Sequence, residues 1–126
     1  MAIWKIKLGG IYIIQHTSGS FYIGKSVDIL SNRWSTHYSQ LVMGNHHSPE
    51  LQNCFDNSKI ENFTFQILEY VSKTYVREQS GLRGKALDKL YNRILLTIEK
   101  NWMNRYDIKD ALNKDKKNFK NYQKKK

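Results

Sequence analysis

Cysteine is almost missing from this 126-residue chain, with Cys54 as its only representative. No internal disulfide can form, and Cys54 reads as a small core residue. His46, His47 and Cys54 match no common zinc spacing, so no zinc site is expected. Long apolar runs are also missing. Ile11 to Ile14 is far too short to span a bilayer, and no secretory pattern is visible. A cytoplasmic, reducing setting without membrane attachment is therefore the expectation. Acidic residues are scarce, at 11 against 21 Lys and Arg, for a formal net charge of +10. Such an excess points to a polyanionic partner. The charge is uneven: residues 114–126 hold seven lysines and one aspartate, +6 of the +10. That stretch is expected as a frayed basic tail behind a single domain over 1–113. Apolar residues make up 40%, enough for one modest core.

What is present alternates clearly. Residues 10–16, GIYIIQH, and 21–26, FYIGKS, are rich in β-branched and aromatic types. Thr17-Ser18-Gly19 between them reads as a hairpin loop with Gly19 at positive φ. In that register Tyr12 faces Gly24. Ile11, Ile13, Phe21 and Ile23 then share one face; Tyr12, Ile14, Tyr22 and Gly24 share the other. A helix is expected from Asp28 to about Met43, with Leu30, Trp34 and Leu41 as its apolar stripe and Gly44 ending it. Arg33 and His37, four apart, share a face. Ser48-Pro49 starts a second helix ending near Asn57. FTFQILEY, 63–70, predicts a third strand, and Leu87 to Trp102 gives helical spacing over about 86–104. Residues 73–85 carry no clear signal, and 73–93 are basic enough to read as an insertion.

Gly10-Ile11-Tyr12, followed after nine residues by Tyr22-Ile23-Gly24, resembles the two tripeptides that name the GIY-YIG nucleases. The order of later residues strengthens the resemblance: Arg33-x-x-x-His37, then Gly44-Asn45-His46, then Glu99-x-x-Trp102. The phage and intron homing type of the family is the nearest in pattern. It implies an α/β fold, with a three-stranded antiparallel sheet flanked by helices. The implied activity is magnesium-dependent hydrolysis of DNA phosphodiesters, with manganese as a substitute. Glu99 would be the metal ligand, and Tyr12, Tyr22, Arg33, His37 and His46 the remaining catalytic set. Gly10, Gly24, Lys25 and Arg33 would contact DNA. The family's asparagine after the glutamate helix has its nearest match in Asp107, with Asn113 as the second candidate. Homing members usually add a separate DNA-binding domain, and here only the basic stretch follows.

The residues carry part of this alone. Glu99 borders the apolar stripe, and its neighbours at three and four positions are Leu95, Leu96, Trp102 and Met103. A carboxylate beside apolar surface without a cation at those spacings suits a hard divalent ion. Arginine's planar fork suits the charge that builds on a phosphodiester under attack. Histidine and phenol can move protons, so Tyr12, assisted by His37, is the expected general base. The other reading is a catalytically silent, basic nucleic-acid-binding module of the same fold. Oligomeric state is left open by the sequence.

Overall fold

A glycine makes the first turn. Gly19 takes φ = 101°, a region open to glycine at no steric cost. The His16 amide can then donate to the Ser20 carbonyl at 2.8 Å. This closes the hairpin between β1 (Gly9–His16) and β2 (Phe21–Ser26). The register places Tyr12 opposite Gly24, as the alternation required. The structure is a computed structural model describing residues 8–28 and 33–119.

β3 (Phe63–Val71) pairs with the other edge of β1, giving a three-stranded antiparallel sheet in the order β2-β1-β3. The pairing shifts between Ile11 and Tyr12, which face Glu69 and Ile67 respectively, so Leu68 is the extra residue of a bulge. Gly10 sits at this shift. A Cβ there would lie 2.2 Å from the Glu69 carbonyl oxygen.

Each sheet face has its own core. Ile11, Ile13, Phe21 and Ile23 pack with Leu87, Tyr91, Leu95 and Met103 of α4 (Gly84–Met103). Tyr12, Ile14 and Tyr22 pack with Leu41 of α1 (Arg33–Met43), Leu51 of α2 (Pro49–Asp56) and Phe63. The result is a mixed α/β domain with helices on both sides of the sheet. Tyr91 fastens α4 to the sheet by accepting from the Gly9 amide at 3.0 Å and donating to the Val71 carbonyl at 2.5 Å. No helix among the described residues is long and apolar enough to cross a membrane.

Local signals explain most helix ends. Ser48 caps α2 by accepting from the Leu51 amide. Leu30, expected in the stripe of α1, lies outside the described residues. Residues 73–85, without a clear sequence signal, contain α3 (Lys73–Ser80), capped by Ser72 and closed by Gly81 at φ = 72°. The larger difference concerns the basic stretch. Residues 114–119, expected as frayed tail, lie on the domain. Phe119 is buried against Phe21, and Lys116 pairs with Glu50 of α2 at 2.5 Å. An apolar ring inside a lysine-rich run is what anchors it.

Candidate active site

The phenol of Tyr12 is the hub of a buried polar cluster. Arg33 and His37, one turn apart on α1, both reach it. The Arg33 Nε–H donates to the Tyr12 oxygen at 3.2 Å, and His37 Nε2 lies 2.6 Å from it. The opposite ring nitrogen, His37 Nδ1, is 2.7 Å from His46 Nε2. His46 Nδ1 in turn accepts from the Ser48 amide at 3.0 Å. Tyr22 lies on the same side of the sheet, its ring centroid 6.5 Å from that of Tyr12, and its hydroxyl is 2.9 Å from His47 Nε2.

Burial sets the protonation of this cluster. Tyr12 and His37 are fully enclosed. Burial lowers His37 to about 3, with Arg33 and His46 pushing the same way. It lowers His46 to about 4, helped by His47. Both imidazoles are neutral at pH 7. Burial raises Tyr12 above its ordinary value, and the Arg33 guanidinium opposes that rise by charge and hydrogen bond. Tyr22 is raised too, by burial first and then by Tyr12.

Tyr22 and His47 also line an open cleft of about 670 Å³, whose far wall carries Glu99 of α4. Glu99 is only 7% exposed. Among the described residues its carboxylate makes no hydrogen bond or ion pair. Burial pushes its pKa up, Lys25 pulls it down, and Asp115 pushes it up again. Such a carboxylate is costly unless a cation compensates it. Donor chemistry therefore fits a hard divalent ion held by Glu99, with Asp115 on the same cleft. No three His, Cys, Asp or Glu residues converge as a metal cage among the described residues. Magnesium, which keeps several waters, needs no such cage. Lys25, Lys100, Lys114 and Lys117 also line the cleft, four cations against the carboxylates Glu99 and Asp115.

The structure brings Tyr12, Tyr22, Arg33, His37 and His46 into one cluster, with Glu99, Gly24 and Lys25 on the adjoining cleft. Gly10 stands apart. It is buried, and the Glu69 carbonyl fills the space a side chain would take, so the sheet itself requires a glycine here. Asp107, the nearest match to the family asparagine, caps a short 3-10 turn through the Lys109 amide. Asn113, like Asn118, lines the cleft. Its amide accepts from the Ile23 amide at 3.1 Å and donates to the Ile23 carbonyl at 2.6 Å. Both its polar groups are thereby spent on β2. His47 was missed by sequence reasoning, which chose His46 alone; the tandem histidines were the available signal.

The GIY-YIG catalytic domain family matches residues 8–80 of this chain, more than half its length. The chain belongs to the GIY-YIG family. Its fold resembles the catalytic domain of the homing endonuclease I-TevI, with a TM-score of 0.63 at 24% identity. That match covers 85% of this chain and 98% of the other. A mutant of the same intron endonuclease domain gives 0.65 at 23%, covering 89% and 98%. No curated protein sequence matches the chain. The GIY-YIG catalytic fold is thus a nuclease fold here, and nucleases of this family generally depend on a divalent metal.

Proposed function

We propose that this chain is a DNA endonuclease of the homing type that hydrolyses phosphodiester bonds with Mg²⁺, or Mn²⁺, held at Glu99. The observation that carries this is the buried Glu99 carboxylate, without a hydrogen bond or ion pair among the described residues, lining the same lysine-rimmed cleft as Tyr22. The bound cation would supply Lewis-acid stabilisation of the phosphate and the leaving oxygen.

The remaining roles belong to side chains. Lys25, Lys100, Lys114 and Lys117 hold the phosphate backbone, and their charge makes binding salt-dependent. Arg33 keeps its Nε on Tyr12, which leaves its terminal nitrogens to fork a phosphate. That places the Tyr12 oxygen beside the scissile group. Gly24 lines the cleft, and the Tyr12 oxygen fills the space a Cβ there would take, 2.4 Å away, so the phenol packs directly against this cleft residue. Tyr12, as phenolate, takes the proton of the attacking water. Tyr22, steadied by His47, positions the phosphate from the other side. The nuclease unit runs at least through Phe119, because that ring is part of the core.

Cleavage of supercoiled plasmid by the full chain tests this reading, with Mg²⁺, Mn²⁺ or EDTA and with an RNA control. Metal-dependent nicking or linearisation of DNA supports it. DNA binding without cleavage in either metal would instead identify a silent binding module.

A further inference from the structure

The hydrogen bonds of the histidine cluster have a direction, and the backbone fixes it. A peptide N–H can only donate. The Ser48 amide points at His46 Nδ1 from 3.0 Å, so that nitrogen carries no proton. A neutral imidazole holds one proton, so His46 is protonated at Nε2. Its Nε2–H then donates to His37 Nδ1 at 2.7 Å, which leaves His37 Nδ1 bare and its proton on Nε2. His37 Nε2–H therefore donates to the Tyr12 oxygen at 2.6 Å. The opposite direction fails. With Tyr12 donating to His37, His37 would donate from Nδ1 to His46 Nε2. Both His46 nitrogens would then be acceptors, which is an imidazolate.

Arg33 also donates to the Tyr12 oxygen. Two N–H groups thus converge on one phenol oxygen, and no acceptor for the phenol's own proton is present among the described residues. We infer that His46, held by the Ser48 amide, is a positioning residue that sets the direction of hydrogen bonding through His37 and makes Tyr12 a double acceptor prepared for its phenolate form. The proposal rests on the reading of Tyr12 as proton acceptor. It also narrows that reading, because His37 cannot receive the Tyr12 proton. His37 serves as a donor that stabilises the phenolate charge. Forming the phenolate therefore releases the phenol proton to water and not to His37.

The direct test needs no cleavage. Two-bond ¹H–¹⁵N correlation spectra of the ¹⁵N-labelled full chain at neutral pH report which nitrogen of each imidazole bears the proton. Protonation at Nε2 and a bare Nδ1 are expected for both His37 and His46. A His37 protonated on Nδ1, or on both nitrogens, would overturn the inference even if the protein proves to be a nuclease. The second arm is His46→Leu, which removes the donor to His37 Nδ1. Its His37 should gain Nδ1–H, and kcat should fall roughly 10–100-fold with KM nearly unchanged, as when an imidazole's outer partner is removed. An unchanged His37 tautomer or a wild-type kcat in that variant would equally sink the positioning role.

Discussion

Tyr12 and Gly24 face each other across the hairpin, and the phenol oxygen fills the space that a side chain at Gly24 would need. A Cβ at Gly24 would lie 2.4 Å from that oxygen and 2.5 Å from Cζ. The second glycine of the motif is therefore tied to the first tyrosine by packing. The hydroxyl that Gly24 admits is the one Arg33 and His37 hold.

Replacing Gly24 by alanine should force the Tyr12 ring away from both donors. Overpacking of this kind costs about 1–3 kcal/mol of stability. Cleavage should fall much further than stability, because Tyr12 loses its alignment with Arg33. Denaturant titration and single-turnover cleavage of Gly24→Ala check the two halves. A variant that cuts normally would show that Tyr12 need not sit where it does.

Arg33→Lys keeps the charge but loses both the Nε–H bonded to Tyr12 and the planar fork. Turnover should drop about 10²-fold or more, the scale of losing one preorganised donor, while DNA affinity in Ca²⁺ changes little. Near-wild-type cleavage would take Arg33 off the catalytic list.

Acid should weaken the fold through the histidine pair. His37 and His46 have folded values of about 3 and about 4, below the ordinary 6.5. Below 6.5 the unfolded chain binds protons that the folded protein refuses, so stability falls as pH drops from 6.5 toward 4. Glu99, raised by burial, works in the opposite direction around and above its ordinary 4.5. Denaturation free energies at about pH 7.5 and about pH 5 should differ accordingly, and equal values would contradict a buried neutral pair.

Two truncations should separate the basic stretch into parts. Residues 120–126 carry four lysines and no acid. Removing them should leave the fold intact but weaken DNA binding and flatten its salt dependence, since fewer counterions are released. Removing 114–126 also takes Phe119 and the Lys116–Glu50 pair. Loss of a buried phenylalanine costs about 3–5 kcal/mol, so that variant should melt well below the first. Equal melting temperatures would show that Phe119 does not anchor the segment.

Local chemistry explains which parts were legible in the sequence. The hairpin register followed from Gly19 and strict alternation, and α2 from Ser48 and Pro49. Spacings of three and four from Leu87 to Trp102 gave α4. What escaped depends on distant partners. Asn113 is engaged with Ile23, 90 residues earlier. The contact exists because Ala111 bridges Phe21 in parallel and the Leu112 amide donates to the Phe21 carbonyl. No periodicity announces such a strap, and the surrounding lysines read as tail. His47 was hidden by the adjacent His46, because sequence alone does not say which of two neighbouring rings turns toward Tyr22.

Glu99→Gln tests Glu99 as the metal-holding carboxylate. The substitution keeps the side chain's shape and removes its charge. The variant should bind DNA, lose Mg²⁺-dependent plasmid cleavage, and melt at or above the wild-type temperature, because the desolvation cost of a buried carboxylate is gone. A Glu99→Gln protein that still cuts plasmid at the wild-type rate in Mg²⁺ would show that Glu99 does not hold the metal.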